Sequence, residues 1–181
     1  MIKKRKQIHL QMATQQVLFR ERQRFTQFWL WVVVLGVAII FWAGFVSQVL
    51  LGGSFGDKPA SDVQLSLLFA LMGIGFPAFF YKMSLTTEVL PGELRVRFWP
   101  FHLRPVQIPL HTVRDYERVT YNPIRDYGGW GIRWSFRGKA YNVSGSEGVR
   151  LHFYNRRPLL IGSQDSQQLF DAIRLGKETK G

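Results

Sequence analysis

Phe28–Leu51 reads FWLWVVVLGVAIIFWAGFVSQVLL, a run without one Asp, Glu, Lys, Arg or His. As an α-helix it is about 36 Å long, enough to cross a hydrocarbon core ~30 Å thick with some tilt. The core helix of a soluble protein needs a polar face, which Ser47 and Gln48 near one end do not supply. The run also exceeds the ~7–15 apolar residues of a signal-peptide core, and no Ala-x-Ala-like cleavage site follows it. It is expected to stay in the mature chain as a first transmembrane helix, residues 28–51.

A loop of turn-forming residues, 52–62 (GGSFGDKPASD), breaks that helix, and a second uncharged run, Val63–Tyr81, returns the chain toward the bilayer. Residues 63–83 are expected as transmembrane helix 2, with Gly73, Gly75 and Pro77 loosening it near its C-terminal end. Gly36, Ala43 and Ser47 on the first helix, and Ala70, Gly73 and Ala78 on the second, are small enough for close packing. That packing joins the hairpin to itself or to a second copy in a homo-oligomer. Lys82 falls at the interface, and neither span carries a buried ionisable residue, which argues against an ion or proton path.

The net charge of +12 raises nucleic acid as a partner, but its distribution has a simpler reading. Residues 1–27 carry seven Lys or Arg against one Glu, the 52–62 loop is −1, and residues 82–181 are +7. Basic flanks around a near-neutral loop are what the positive-inside rule gives for a two-span hairpin with both termini cytoplasmic. Residues 1–27 are therefore read as a basic cytoplasmic segment with no nucleic-acid partner. Ile8, Met12 and Phe19 allow it a weakly amphipathic surface helix. The protein is expected in the plasma (inner) membrane or an internal membrane. The absence of cysteine removes disulfides, thiolate nucleophiles and Cys-ligated metals from consideration.

After Met83 the apolar period changes from helical to two. Leu94, Val96 and Phe98 alternate with Arg95, Arg97 and Trp99; Trp130, Ile132, Trp134 and Phe136 with Gly131, Arg133, Ser135 and Arg137; and Val149, Leu151 and Phe153 with Arg150, His152 and Tyr154. The pattern is that of half-buried antiparallel strands. Turn signals divide the region into about seven strands, near 86–90, 93–100, 106–109, 114–121, 130–136, 140–143 and 149–154, with an eighth run at 159–161. A helix over 163–176 follows, capped by Ser163 or Asp165, with Leu169, Ile173 and Phe170 or Ala172 on its apolar face. Residues 84–181 are thus expected as a mainly-β barrel or sandwich closed by one C-terminal helix.

Four motifs carry a resemblance: Tyr127-Gly128-Gly129-Trp130-Gly131-Ile132-Arg133, Gly138-x-Ala140-Tyr141, Gly148-Val149-x-Leu151 and Ile161-Gly162-Ser163. Together with two preceding spans, the series resembles the bacterial pleckstrin-homology-like (PH-like) domains of small membrane proteins. The resemblance implies a seven-strand meander with a C-terminal helix, and an interaction or scaffold module rather than a chemistry. Eukaryotic relatives of that domain bind phosphoinositides through Lys-x-(Lys/Arg)-x-Arg. Arg95-Val96-Arg97 matches its second half, while the strand before it offers Thr86, Thr87 and Glu88 with no lysine.

No catalytic, cofactor-binding or metal site emerges. The run at Gly128–Gly131 lacks the last glycine of a dinucleotide fingerprint, where Trp134 stands, and no phosphate-loop lysine follows. It reads as a bulge or close backbone approach. His9, His102, His111 and His152 lack metal-ligand spacing. The candidate site is the set Arg95, Arg97, Arg133, Arg137 and Arg150, which alternation puts on the non-core sides of their strands, with Arg133, Arg137 and Arg150 expected in one patch. Their partner is anionic lipid headgroups or an acidic protein. The alternative for them is a solvated edge that discourages sheet aggregation. The function expected is a membrane-tethered cytoplasmic interaction module, an accessory or assembly factor of a membrane complex. The second expectation is an anionic-lipid sensor. Nothing in the sequence favours an enzyme.

Overall fold

The structure, a computed structural model, describes residues 17–56 and 60–179. The basic cluster Lys3–Lys6 and the surface helix expected around Ile8 and Met12 lie outside those residues. The chain divides into a helical unit, Phe25–Met83, and a β unit made of the stretch ending at Arg24 and the chain from Ser84 onward.

Two helices make up the first unit, α1 (Phe28–Leu50) and α2 (Asp62–Lys82), each long and apolar enough to cross a membrane. Only 17% and 11% of their apolar windows are buried by the rest of the chain, unlike a soluble core helix. Ser61 starts α2 with a capping box, its hydroxyl accepting from Gln64 N while its own N–H donates to Gln64 Oε1. Buried Gln48 reaches across from α1, donating through Nε2 to Ala60 O (2.7 Å) and Asp62 Oδ1 (2.9 Å). The loosening expected around Gly73 and Pro77 takes the form of a wide π-type turn, Phe69–Gly75, just ahead of the proline.

The packing of the two helices differs from the small-residue expectation. Of the six small residues named, only Gly73 is buried; Ala43, Ala70 and Ala78 are exposed, and space around Gly36 is open. Aromatic rings fill the contact instead: Phe45 stacks on Phe69 at 4.2 Å, and Trp42 meets the same ring edge-on at 4.7 Å.

The β unit opens with a strand that the sequence assigned to the basic segment. β1 (Phe19–Arg24) buries Phe19 and Gln23 and exposes Arg20, Arg22 and Arg24. It pairs antiparallel with β2 (Ser84–Leu90), from Phe19 opposite Val89 to Arg24 opposite Ser84. β2 pairs with β3 (Glu93–Trp99), and β3 with β4 (Val106–Pro109), so the first sheet is a four-stranded antiparallel meander. The two apolar helices are thus an insertion in the connection between neighbouring strands. Residues 84–181 alone do not make the unit, because its edge strand lies upstream of both helices.

The second sheet holds β5 (Val113–Thr120), β6 (Gly131–Ser135), β7 (Gly138–Asn142), β8 (Glu147–Phe153) and β9 (Leu159–Gly162), in the order β5-β8-β9-β7-β6. It is not a meander. β9 pairs antiparallel with β8 and also slots between β8 and β7, pairing parallel with the latter. The close approach at that seam needs Gly138, whose φ is +112° and where a Cβ would collide with the Pro158 carbonyl. A short helix, α3 (Pro123–Tyr127), interrupts the run from β5 to β6. Asn122 caps it and Gly128, at φ +70°, ends it in the left-handed conformation.

The core forms between the sheets and under α4 (Ser166–Glu178). Leu94, Val96 and Phe98, and Val149 and Leu151, are at most 1% exposed, as their alternation requires, and Phe153 is buried too; all of β9 is buried without alternation. Leu169 and Ile173 of α4 are fully buried, while Phe170 lies against Tyr116 with ring centroids 5.0 Å apart. The helix end locks onto the β2–β3 turn, where Gly92 N donates to Gly176 O. On β6 the alternation misleads: Trp134 and Phe136, on the apolar phase, are 70% and 85% exposed. β6 is an edge strand that pairs with β7 alone, so its inward phase runs out past the covered part of the sheet.

Candidate functional site

Residues directly opposite one another in an antiparallel sheet share a face. The first sheet's outer face therefore consists of three register rows. The first runs Arg20, Glu88, Arg95, Gln107; the second Arg22, Thr86, Arg97; the third Arg24, Ser84, Trp99. Side chains from these rows, with Pro105, line a groove of about 330 Å³.

The rows differ in charge. In the first, Arg20 Nε lies 3.1 Å from Glu88 Oε1. Glu93 takes Arg95 through two contacts, 2.9 Å to Nε and 3.3 Å to Nη2. That hydrogen bond, outweighing the cost of burial, raises the pKa of Arg95. In the second row neither Arg22 nor Arg97 has a carboxylate partner among the described residues; Arg97 Nε donates to His102 O at 3.3 Å. Two guanidiniums thus stand on either side of a hydroxyl, their strands about 9–10 Å apart. The third row continues this end with Ser84 and Trp99. One end of the groove is self-neutralised and the other is positive and rich in donors, which suits an oxyanion.

The chain enters and leaves the β unit at the positive end. Arg24 and Ser84, partners in the third row, are the last and first β-unit residues on either side of Phe25–Met83.

Of the five arginines singled out in the sequence, Arg95 and Arg97 are in this groove and the other three are not. Arg133 and Arg150 share a row of the second sheet, but Ala140 and Leu160 stand between them. Those two are fully buried under Tyr121 and Tyr127, so an apolar patch divides the pair. Arg150 lies 3.2 Å from Glu117, whose carboxyl is held low chiefly by its hydrogen bond to His152 and also by Arg150. Arg133 Nε donates to Trp130 O. Arg137, in the turn after β6, is 3.6 Å from buried Asp126. The single patch expected of Arg133, Arg137 and Arg150 does not form. Sequence reading also missed Arg20, Arg22 and Arg24, although Phe19–Arg24 already alternates in the period of a strand. No group of three or more His, Asp or Glu placed to hold a metal occurs among the described residues.

A family model matches residues 10–175, nearly the whole chain. The chain belongs to a family of unknown function, DUF6141. The match runs from upstream of β1 through both apolar helices to the last turns of α4, so the family spans the helical insertion as well as the β unit. No curated protein matches the chain.

Proposed function

We propose that this protein is a membrane-anchored recognition module whose first sheet binds anionic headgroups through the positive end of its groove. α1 and α2 act as the anchor, crossing the bilayer as a hairpin, with both chain termini on the cytoplasmic side where basic residues are retained. The observation that carries the reading is the second row: Arg22 and Arg97 line the groove on either side of Thr86 without a carboxylate partner among the described residues, two positions along β2 from Ser84, where the chain returns from the apolar helices. Short links from a membrane anchor favour a lipid headgroup over a distant ligand. A groove of about 330 Å³ is also the scale of a single headgroup rather than of a protein interface. The pleckstrin-homology likeness fits this reading through the four-stranded meander and closing helix, while the parallel β7–β9 pair departs from it. A cytoplasmic assembly role with an acidic protein partner is the second reading, favoured by the same uncompensated arginines.

The test uses the full chain in neutral nanodiscs, titrated with water-soluble dihexanoyl phosphatidate or phosphatidylserine and followed by calorimetry. Anionic lipids are expected to bind, with affinity falling as salt rises, and dihexanoyl phosphatidylcholine to bind much more weakly. The double variant Arg22→Glu/Arg97→Glu should weaken anionic binding by roughly tenfold or more. Equal binding of neutral and anionic lipids would refute the reading.

A further inference from the structure

A second cleft, sharing no lining residue with the arginine groove, lies between the unpaired edge of β4 and the β6–β7 hairpin, closed by the loop that joins β8 to β9. Its volume is about 190 Å³ and its walls include Ile108, Phe153 and Leu159. An apolar cavity of ~150 Å³ is enough for one benzene ring.

Three polar groups at this cleft have no counterpart. Lys139 Nζ lies over two rings, 4.7 Å from Trp134 and 4.6 Å from Tyr141, and Arg156 lies 3.6 Å over Phe153. Neither cation has a carboxylate partner among the described residues, so both are held by aromatic faces. Burial lowers the pKa of Arg156, and the nearby Tyr141 partly offsets this. The Tyr141 side chain is 1% exposed, and its hydroxyl is buried without a hydrogen-bond partner. The buried, unsatisfied Tyr141 hydroxyl is a cost in the empty protein that one acceptor anion removes. Half-buried Lys139 and exposed Arg156 and Arg157, which line the same cleft, supply the positive charge to draw it in.

We propose that this cleft binds a small apolar carboxylic acid, its ring or short chain packed between the sheets and its carboxylate accepting from Tyr141 Oη, Lys139 and Arg156. A hydrated inorganic anion leaves the apolar walls unused, and a neutral apolar ligand leaves the three donors unmet. A lone ring or a short chain bearing one carboxylate meets both. The site is separate from the arginine groove and does not depend on the headgroup reading.

The test is a fluorine NMR titration of 4-fluorobenzoate against the full chain in neutral nanodiscs, with empty discs as the blank. The acid is expected to bind, and 4-fluorobenzamide, its uncharged analogue, to bind roughly tenfold more weakly or not at all. Lys139→Gln and Arg156→Gln should each weaken the acid several-fold. Tyr141→Phe should weaken it too without lowering the melting temperature of the ligand-free chain, because it deletes an unsatisfied hydroxyl. Arg22→Glu/Arg97→Glu should leave this titration unchanged, so either site can fail alone. No binding above empty discs, equal binding of the amide, or undiminished affinity in both cation variants would each overturn the proposal.

Discussion

Arg22 and Arg20 sit two positions apart on one strand, yet different consequences follow from replacing them. Arg20 is already paired with Glu88, an exposed ion pair worth about 0–1 kcal/mol, and losing it frees a carboxylate beside the groove. Arg22 has no such partner, so reversing it should change stability by no more than about 0.5 kcal/mol. Reversing Arg97 with it also removes the hydrogen bond to His102 O, a further ~1 kcal/mol, and lowers anion affinity. A thermal melt run beside the lipid titration separates these effects. Asp126 offers a second test at this scale. Its carboxyl is held below the usual range, first by the Asn122 N–H donated to Oδ2 at 2.9 Å and then by Arg137 and Arg125. A depressed carboxylate contributes stability that is full above its unfolded value, about 4, and is lost as pH falls through the lower folded value. Asp126→Asn should therefore melt lower than the native chain at pH 6, and the two curves should converge toward pH 3. Melting temperatures that differ equally at both pH values would contradict this assignment. Arg95 and Arg97 were legible as outward residues because alternation alone fixes a strand's two faces. That Arg22 stands beside them was not, since basic residues ahead of an apolar helix already have a sufficient explanation in membrane orientation.

Among the elements, α4 was the easiest to foresee and β9 the hardest. Asp165 caps α4 by accepting from Gln168 N, and an apolar stripe at helical spacing puts Leu169 and Ile173 inward; both features are local. Ile173, with no exposure, should cost about 2–5 kcal/mol on replacement by Ala, seen as a lower urea midpoint with an unchanged slope. An unchanged midpoint would mean that α4 does not close the core. The partners of β9 are set by the path of the whole chain. Four apolar residues can pair on either side and in either direction, and only the completed second sheet shows that β9 lies between β7 and β8. α3 escaped notice because five residues are too few to show a helical period, although Asn122-Pro123 is an ordinary cap followed by an ordinary first residue. The small residues of the two apolar helices misled in the opposite direction. They are common in such helices whether or not they touch anything, and here Phe45 and Phe69 make the contact.

At the scale of the whole molecule, the anchor and its orientation are open to one measurement. The chain has no cysteine, so a single one introduced at Ser54 or Ser146 is unique. In intact cells an impermeant maleimide should label Ser54→Cys and spare Ser146→Cys; the reverse pattern would invert the topology. The division into an apolar hairpin and a β unit was legible from composition, because charge-free runs of this length have few other uses. The return of the first strand to its partner was not, because nothing local marks a pairing made across an insertion. That pairing also orders events in time. Arg24 leaves the ribosome about 60 residues before Ser84, which at ~5–20 residues per second is several seconds. Through that interval β1 lacks the neighbour it has in the folded chain, and the first sheet cannot close until the second apolar helix has been made. Completion of the first sheet therefore marks the synthesis of both apolar helices. A chain halted between Arg24 and Ser84 carries an unmated strand edge, the kind of surface that pairs with other chains.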